Sequence, residues 1–229
     1  MLGLIVLACI VAGALPALAD GPVIVAFGDS ITFGAGVQPE DAYPAQLQVL
    51  LRERTNTPDL SVVNAGVGGN TARQGLARLD KDVLACHPCA VLIGFGMNDS
   101  VMTAANTPRS TTDDFRQTMT EIVQRIQAAG AKTILAPVTP VIEQYYWERH
   151  PQEWYPDGLR AQLDRYTAVI REVARQTGST VIDLGNFNPS LHLRTPENSG
   201  ARDGVHPTPG GYTVIATAYA QKLVPTERP

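Results

Sequence analysis

The sequence predicts a three-layer α/β/α domain built on a five-stranded parallel sheet of flavodoxin-like order, and three observations lead there. Five short apolar, β-branched runs alternate with five helical patterns. The runs are bounded by turn residues, and two of the helical patterns stop on glycines, Gly130 and Gly178. The chain has 229 residues, 44% hydrophobic and 17% charged, which suits one soluble domain long enough to bury a core without staples.

In chain order, the strand runs are residues 23–27, 60–64, 90–95, 133–137 and 180–184. Between them, residues 42–54 place Leu47, Leu50 and Leu51 on one helical face, and residues 71–84 do the same with Leu76, Leu79, Val83 and Leu84. Residues 114–129 carry Phe115, Met119, Ile122, Val123 and Ile126, and residues 159–177 carry Leu163, Tyr166, Val169, Ile170 and Val173. Residues 209–223 close the chain with a last helix. Strand followed by helix, repeated, buries both sheet faces, and right-handed crossovers then give the strand order 2-1-3-4-5. That order puts a ligand at the carboxyl ends of the strands, near the first. No repeat, low-complexity tract or linker divides residues 20–229, which are expected to form a single domain.

One connection breaks the regularity. Residues 138–158 hold Tyr145, Tyr146, Trp147, Trp154 and Tyr155. Long loops in compact domains are usually functional or disordered, and this aromatic content speaks against disorder. Two uses stand open: these five residues bind substrate, or the tryptophans cover the sheet edge.

Residues 1–19 contain no Asp, Glu, Lys or Arg, residues 2–15 are almost wholly apolar, and Ala17-Leu18-Ala19 offers a small-x-small cleavage site before Asp20. This is the pattern of a secretory signal peptide, although its n-region holds no charge but the α-amino group. An exported protein, periplasmic or secreted and without a stable membrane span after cleavage, is the expectation; an uncleaved anchor is the rival. In that compartment Cys86 and Cys89, spaced Cys-His-Pro-Cys, read first as a local disulfide. The formal net charge of −4 and the lack of any basic run make nucleic acid a poor partner. No metal-ligand cluster or cofactor motif stands out, and none is expected.

The first strand ends in Phe27-Gly28-Asp29-Ser30. A serine there sits where an open sheet places its ligands, yet Asp29 or Ser30 equally suits a helix cap. Near the other end of the chain lies Asp203-Gly204-Val205-His206. A serine hydroxyl is a weak nucleophile until a base takes its proton, and a carboxylate must hold that base in the right tautomer. His206, with Asp203 three residues before it, supplies both; alternatively it only caps the last helix. Acyl transfer also needs donors for the oxyanion. Asn64-Ala65-Gly66-Val67-Gly68-Gly69-Asn70-Thr71 follows the second strand with accessible N–H groups, and Gly96-Met97-Asn98-Asp99 follows the third with a side-chain amide. Tight turning and an Asx turn are the plainer uses of the same residues.

Taken together and in order, the four segments resemble the blocks of the SGNH (GDSL-type) hydrolases. The stretch from Val62 through Gln74-Gly75-Leu76-Ala77-Arg78-Leu79 looks most like the bacterial periplasmic thioesterase/lysophospholipase/arylesterase branch. The resemblance implies the SGNH hydrolase fold and a carboxylic ester hydrolase. It also implies Ser30 as nucleophile, His206 as base and Asp203 as its orienting carboxylate. The oxyanion hole would comprise the Ser30 N–H, the Gly69 N–H and the Asn98 side chain. Ile31 stands where the family has Leu, Met97 where it often has Gly, and Gly66 and Gly68 compete with Gly69. The expected substrate is a small-acyl or short-chain ester of carbohydrate or lipid. A lysophospholipase or thioesterase, and a catalytically silent carbohydrate-binding relative, are the alternatives. A dinucleotide loop at Gly66-Val67-Gly68-Gly69 is the weakest rival, because its third glycine would fall at Thr71.

Overall fold

A computed structural model describes residues 21–225. The expected signal peptide at residues 1–19 lies outside the described residues. The elements are β1 (Val23–Gly28), α1 (Ser30–Phe33), α2 (Tyr43–Thr55), β2 (Ser61–Gly66), α3 (Ala72–Asp82), β3 (Ala90–Gly94), β4 (Met102–Ala104), β5 (Thr107–Pro108), α4 (Thr112–Ala128), β6 (Lys132–Leu135), α5 (Glu143–Tyr146), α6 (Gly158–Thr177), β7 (Thr180–Val181), α7 (Pro189–His192), α8 (Pro196–Ser199) and α9 (Pro209–Leu223).

The main sheet is parallel in the order β2-β1-β3-β6-β7, the expected 2-1-3-4-5 arrangement. Its central strands β1 and β3 are buried on both faces, and side chains alternate between two cores. From β1, Val25 and Phe27 point to a core shared with α3, α4 and α6, while Ile24 and Ala26 point to a core shared with α2 and α9. On β3 the same split sends Val91 and Ile93 one way and Leu92 the other. Burying a side chain such as Leu92 contributes about 1.5–3 kcal/mol. Tyr43 at the start of α2 stacks on Tyr219 of α9, ring centroids 5.3 Å apart, and pins these two helices to one face.

Two differences from the sequence expectation have local causes. The fifth strand pairs over two residues only. Ile182 N–H still bonds the Leu135 carbonyl, but Asp183 Oδ1 then accepts from Gly185 N–H at 2.8 Å and turns the chain away. Residues 102–108 form an unexpected antiparallel hairpin, β4–β5, whose turn residue Asn106 takes φ 56°.

Candidate active site

Ser30 sits at the carboxyl end of β1, where Gly28 pairs with Gly66 of β2 and with Gly94 of β3. Asp29 caps the short helix that follows, its Oδ1 accepting from Ile31 N–H at 3.0 Å, so Ser30 is the first residue of α1. The capping use therefore falls to Asp29 and not to the Ser30 side chain. Ser30 Oγ lies 2.9 Å from His206 Nε2.

His206 Nδ1 faces both oxygens of Asp203, at 3.1 and 3.0 Å. Asp203 Oδ1 also accepts from the backbone N–H groups of Val205 and His206, each at 3.1 Å. Burial pushes the Asp203 carboxyl up, but the His206 ring and these N–H groups outweigh it and hold it down to about 2. Asp203 is thus a carboxylate at any ordinary pH. Of the other histidines, His192 Nδ1 accepts from Asn188 N–H at 2.9 Å and His150 stacks on Tyr146, centroids 4.3 Å apart.

The loops after β2 and β3 close over the same edge. Gly69 adopts φ 78°, a left-handed conformation that favours glycine, and among the described residues its N–H donates to no other group. Asn98 Nδ2 donates to the Asn70 carbonyl at 3.2 Å and approaches Asp29 Oδ2 at 3.4 Å, which ties the two loops together behind Ser30. The next residue, Asp99, accepts the Ala72 N–H on both oxygens at 3.1 Å and so anchors α3 to the β3 loop. Burial, with the nearby Asp99 charge adding, raises the Asp29 carboxyl to about 7 despite the Ile31 N–H.

Aromatic residues of the insertion pack into a cluster of their own. Tyr145, Tyr146 and Tyr155 are buried, while Trp147 and Trp154 are half-buried. Tyr146 and Tyr155 share a hydroxyl hydrogen bond of 2.9 Å, and Tyr155 Oη also takes the Met102 N–H at 3.1 Å. Met97 packs into this same aromatic cluster with Met102, Leu159 and Leu163, which gives the side chain before Asn98 a structural use. The polar edge of the insertion grips the Asp203 loop. Ile142 N–H bonds the Gly204 carbonyl at 2.8 Å, Arg149 Nη2 bonds the Asp203 carbonyl at 2.6 Å, and Glu148 pairs with Arg202.

Sequence reading missed these contacts, and it missed two exposed apolar side chains on the segments that carry Ser30 and Gly69. Among the described residues, Phe33 and Val67 are two of four large hydrophobic side chains left exposed, at 58% and 40%. Phe33 lies on the helix that Ser30 opens, and Val67 begins the loop that carries Gly69. Cys86 and Cys89 are not joined to each other in the local disulfide expected, and Cys86 Sγ is turned to the Asp82 carbonyl at 3.7 Å. Among the described residues no group of three or more His, Cys, Asp or Glu could hold a metal ion. No described helix is long and apolar enough to cross a membrane.

Residues 26–214 match the model of the GDSL-like lipase/acylhydrolase family. The chain is 29% identical over 221 residues to an acetylxylan esterase of Geobacillus stearothermophilus, covering 90% of this chain and 95% of that one. It is 27% identical over 207 residues to the thioesterase 1/protease 1/lysophospholipase L1 of Escherichia coli (strain K12), covering 90% and 86%. The crystal structure of a lipase/acylhydrolase from Enterococcus faecalis superposes with a TM-score of 0.68 at 26% identity, over 89% of this chain and 95% of that one. The chain belongs to the GDSL-like lipase/acylhydrolase family and is a carboxylic ester hydrolase.

Proposed function

We propose that the ester is cleaved by two-step acyl transfer on Ser30, with His206 as base and Asp203 holding its ring. The observation that carries this reading is the unbroken relay from Ser30 Oγ to His206 Nε2, 2.9 Å, and from His206 Nδ1 to Asp203, 3.0 Å. His206 takes the hydroxyl proton as Ser30 attacks the carbonyl carbon, then returns it to the leaving alcohol as the acyl–oxygen bond breaks. A water molecule, deprotonated by the same imidazole, releases the acid. The developing oxyanion is received by the N–H groups of Ser30 and Gly69 and by the Asn98 amide, each such donor worth about 2.7–4 kcal/mol.

The substrate we favour is a small-acyl or short-chain ester of a carbohydrate or lipid. The exposed side chains of Phe33 and Val67, on the segments that carry Ser30 and Gly69, suit a short apolar group, and the acetylxylan esterase relative supports a small acyl. A lysophospholipase or thioesterase activity is the second reading, supported by the name of the Escherichia coli relative. Residues 1–19 are taken as an export signal, which leaves residues 20–229 as one mature domain. The test is Ser30→Ala, checked for folding, on p-nitrophenyl acetate and butyrate. A loss of about 10³-fold or more is expected. Hydrolysis at the parent rate would refute the assignment.

A further inference from the structure

Arg194 touches both halves of the relay, and nothing in the motif pattern marks it. Its backbone N–H donates to the His206 carbonyl at 3.0 Å, and its carbonyl accepts from Gly204 N–H at 2.8 Å. The adjoining residue Leu193 bridges Pro207. Its side chain then turns inward, Nη1 lying 3.3 Å from Asp203 Oδ2, at 21% exposure. The guanidinium also fills the space over Gly36. A Cβ at Gly36 would lie 1.9 Å from Nη1 and would displace the guanidinium, and that glycine takes φ 86°, where any other residue is strained. Gly36 belongs to the turn that leaves α1, the helix opened by Ser30.

We propose that Arg194 is a positioning residue for ester cleavage: wedged between Gly36 and Asp203, its guanidinium fixes the carboxylate against His206 Nδ1 and offsets part of its charge. The assignment rests on the reading of Ser30, His206 and Asp203 given above. Without Arg194, Asp203 Oδ2 keeps only its contact with the imidazole, and the carboxylate is free to turn about the bonds that hold Oδ1. The charge effect has a definite sign. A cation beside Asp203 weakens the field that holds a proton on His206, so removing it strengthens that hold and moves the acid limb of activity to higher pH. The titratable and charged groups facing this pair are Asp29, which acts on His206 from the cap of α1, Tyr212 of α9, which interacts with Asp203 and Arg194, Arg194 itself, and Arg149, bound to the Asp203 carbonyl from the insertion.

The test compares kcat/KM from pH 5 to 9 on p-nitrophenyl acetate for the parent, Arg194→Met, Arg194→Gln and Arg194→Lys. For the Met variant the acid limb is expected to move up by roughly half to one pH unit, with a plateau several-fold lower. The Gln variant, which keeps a donor and no charge, should show the same shift with a smaller plateau loss. The Lys variant should restore the limb. Where the Met variant does not fold, the Gln and Lys pair decides the matter. Titration of the His206 ring by NMR in a Ser30→Ala background must show the same shift without relying on turnover. Profiles that superimpose on the parent after scaling would overturn the proposal and leave Arg194 a purely structural residue. Full activity of Ser30→Ala would instead overturn the reading beneath it, which separates the two failures.

Discussion

The active-site edge is built in two ways. Ser30, Gly69 and Asn98 hang from the ends of three hydrogen-bonded strands, so the sheet fixes them through the register Gly28↔Gly66 and Gly28↔Gly94. Asp203 and His206 have no main-sheet strand beneath them. Their loop is held by the backbone of Arg194, the Ile142–Gly204 bond, and the side chains of Arg149 and Arg194. In the proposed mechanism, strand ends position a nucleophile and its donors as a by-product of folding. A base on a loop needs dedicated supports, and those supports lie outside the motif residues.

Four substitutions press on this contrast, taken from the largest effect down. His206→Ala removes the base and should lower kcat by about 10⁴-fold or more while leaving the fold intact; a loss under tenfold would remove His206 from the relay. Asn98→Ala removes one strand-hung donor and should lower kcat by about 10²–10³-fold with little change in KM. An unchanged kcat would exclude Asn98 from the oxyanion hole. Arg149→Met loosens a support on the loop side, and a several-fold fall in kcat is expected with unchanged thermal stability of the sheet. An equal effect from cutting a surface ion pair such as Arg160–Asp164 would show that the grip has no special role.

The smallest effect is on stability, from the strand side. Burial raises Asp29 to about 7 from 3.8, so the folded chain keeps a proton that the unfolded chain has released. The resulting stabilisation is complete below pH 3.8 and is lost as pH rises through 7. Asp29→Asn cannot ionise and should flatten this slope. The difference in Tm between pH 5 and pH 8 should shrink by a few degrees relative to the parent, at roughly 2–4 °C per kcal/mol. An unchanged difference would place the ionisation elsewhere.

The central strands were legible because they are buried on both faces and read as continuous apolar runs, as with Val23–Gly28 and Ala90–Gly94, while the edge strands were found from their β-branched residues and flanking turns. The β4–β5 hairpin was not, since its strands span three and two residues and its left-handed turn residue is Asn106, not a glycine. Helix α1 has four residues, too few for any periodicity to show. Within the site, Asp203 and His206 declared themselves by spacing. Arg149 and Arg194 did not, because an arginine in a loop looks like solvent-facing charge until its partner is known. Tyr146 and Tyr155 show a related limit: composition signals an aromatic segment, while only the fold reveals that their hydroxyls pair in a buried cluster.

The most direct test of the acyl-enzyme account is the mass of the protein after reaction with a fluorophosphonate, followed by peptide mapping. A single adduct on the peptide containing Ser30 is predicted, absent in Ser30→Ala and strongly slowed in His206→Ala. An adduct on another residue, or labelling that survives Ser30→Ala, would contradict the account.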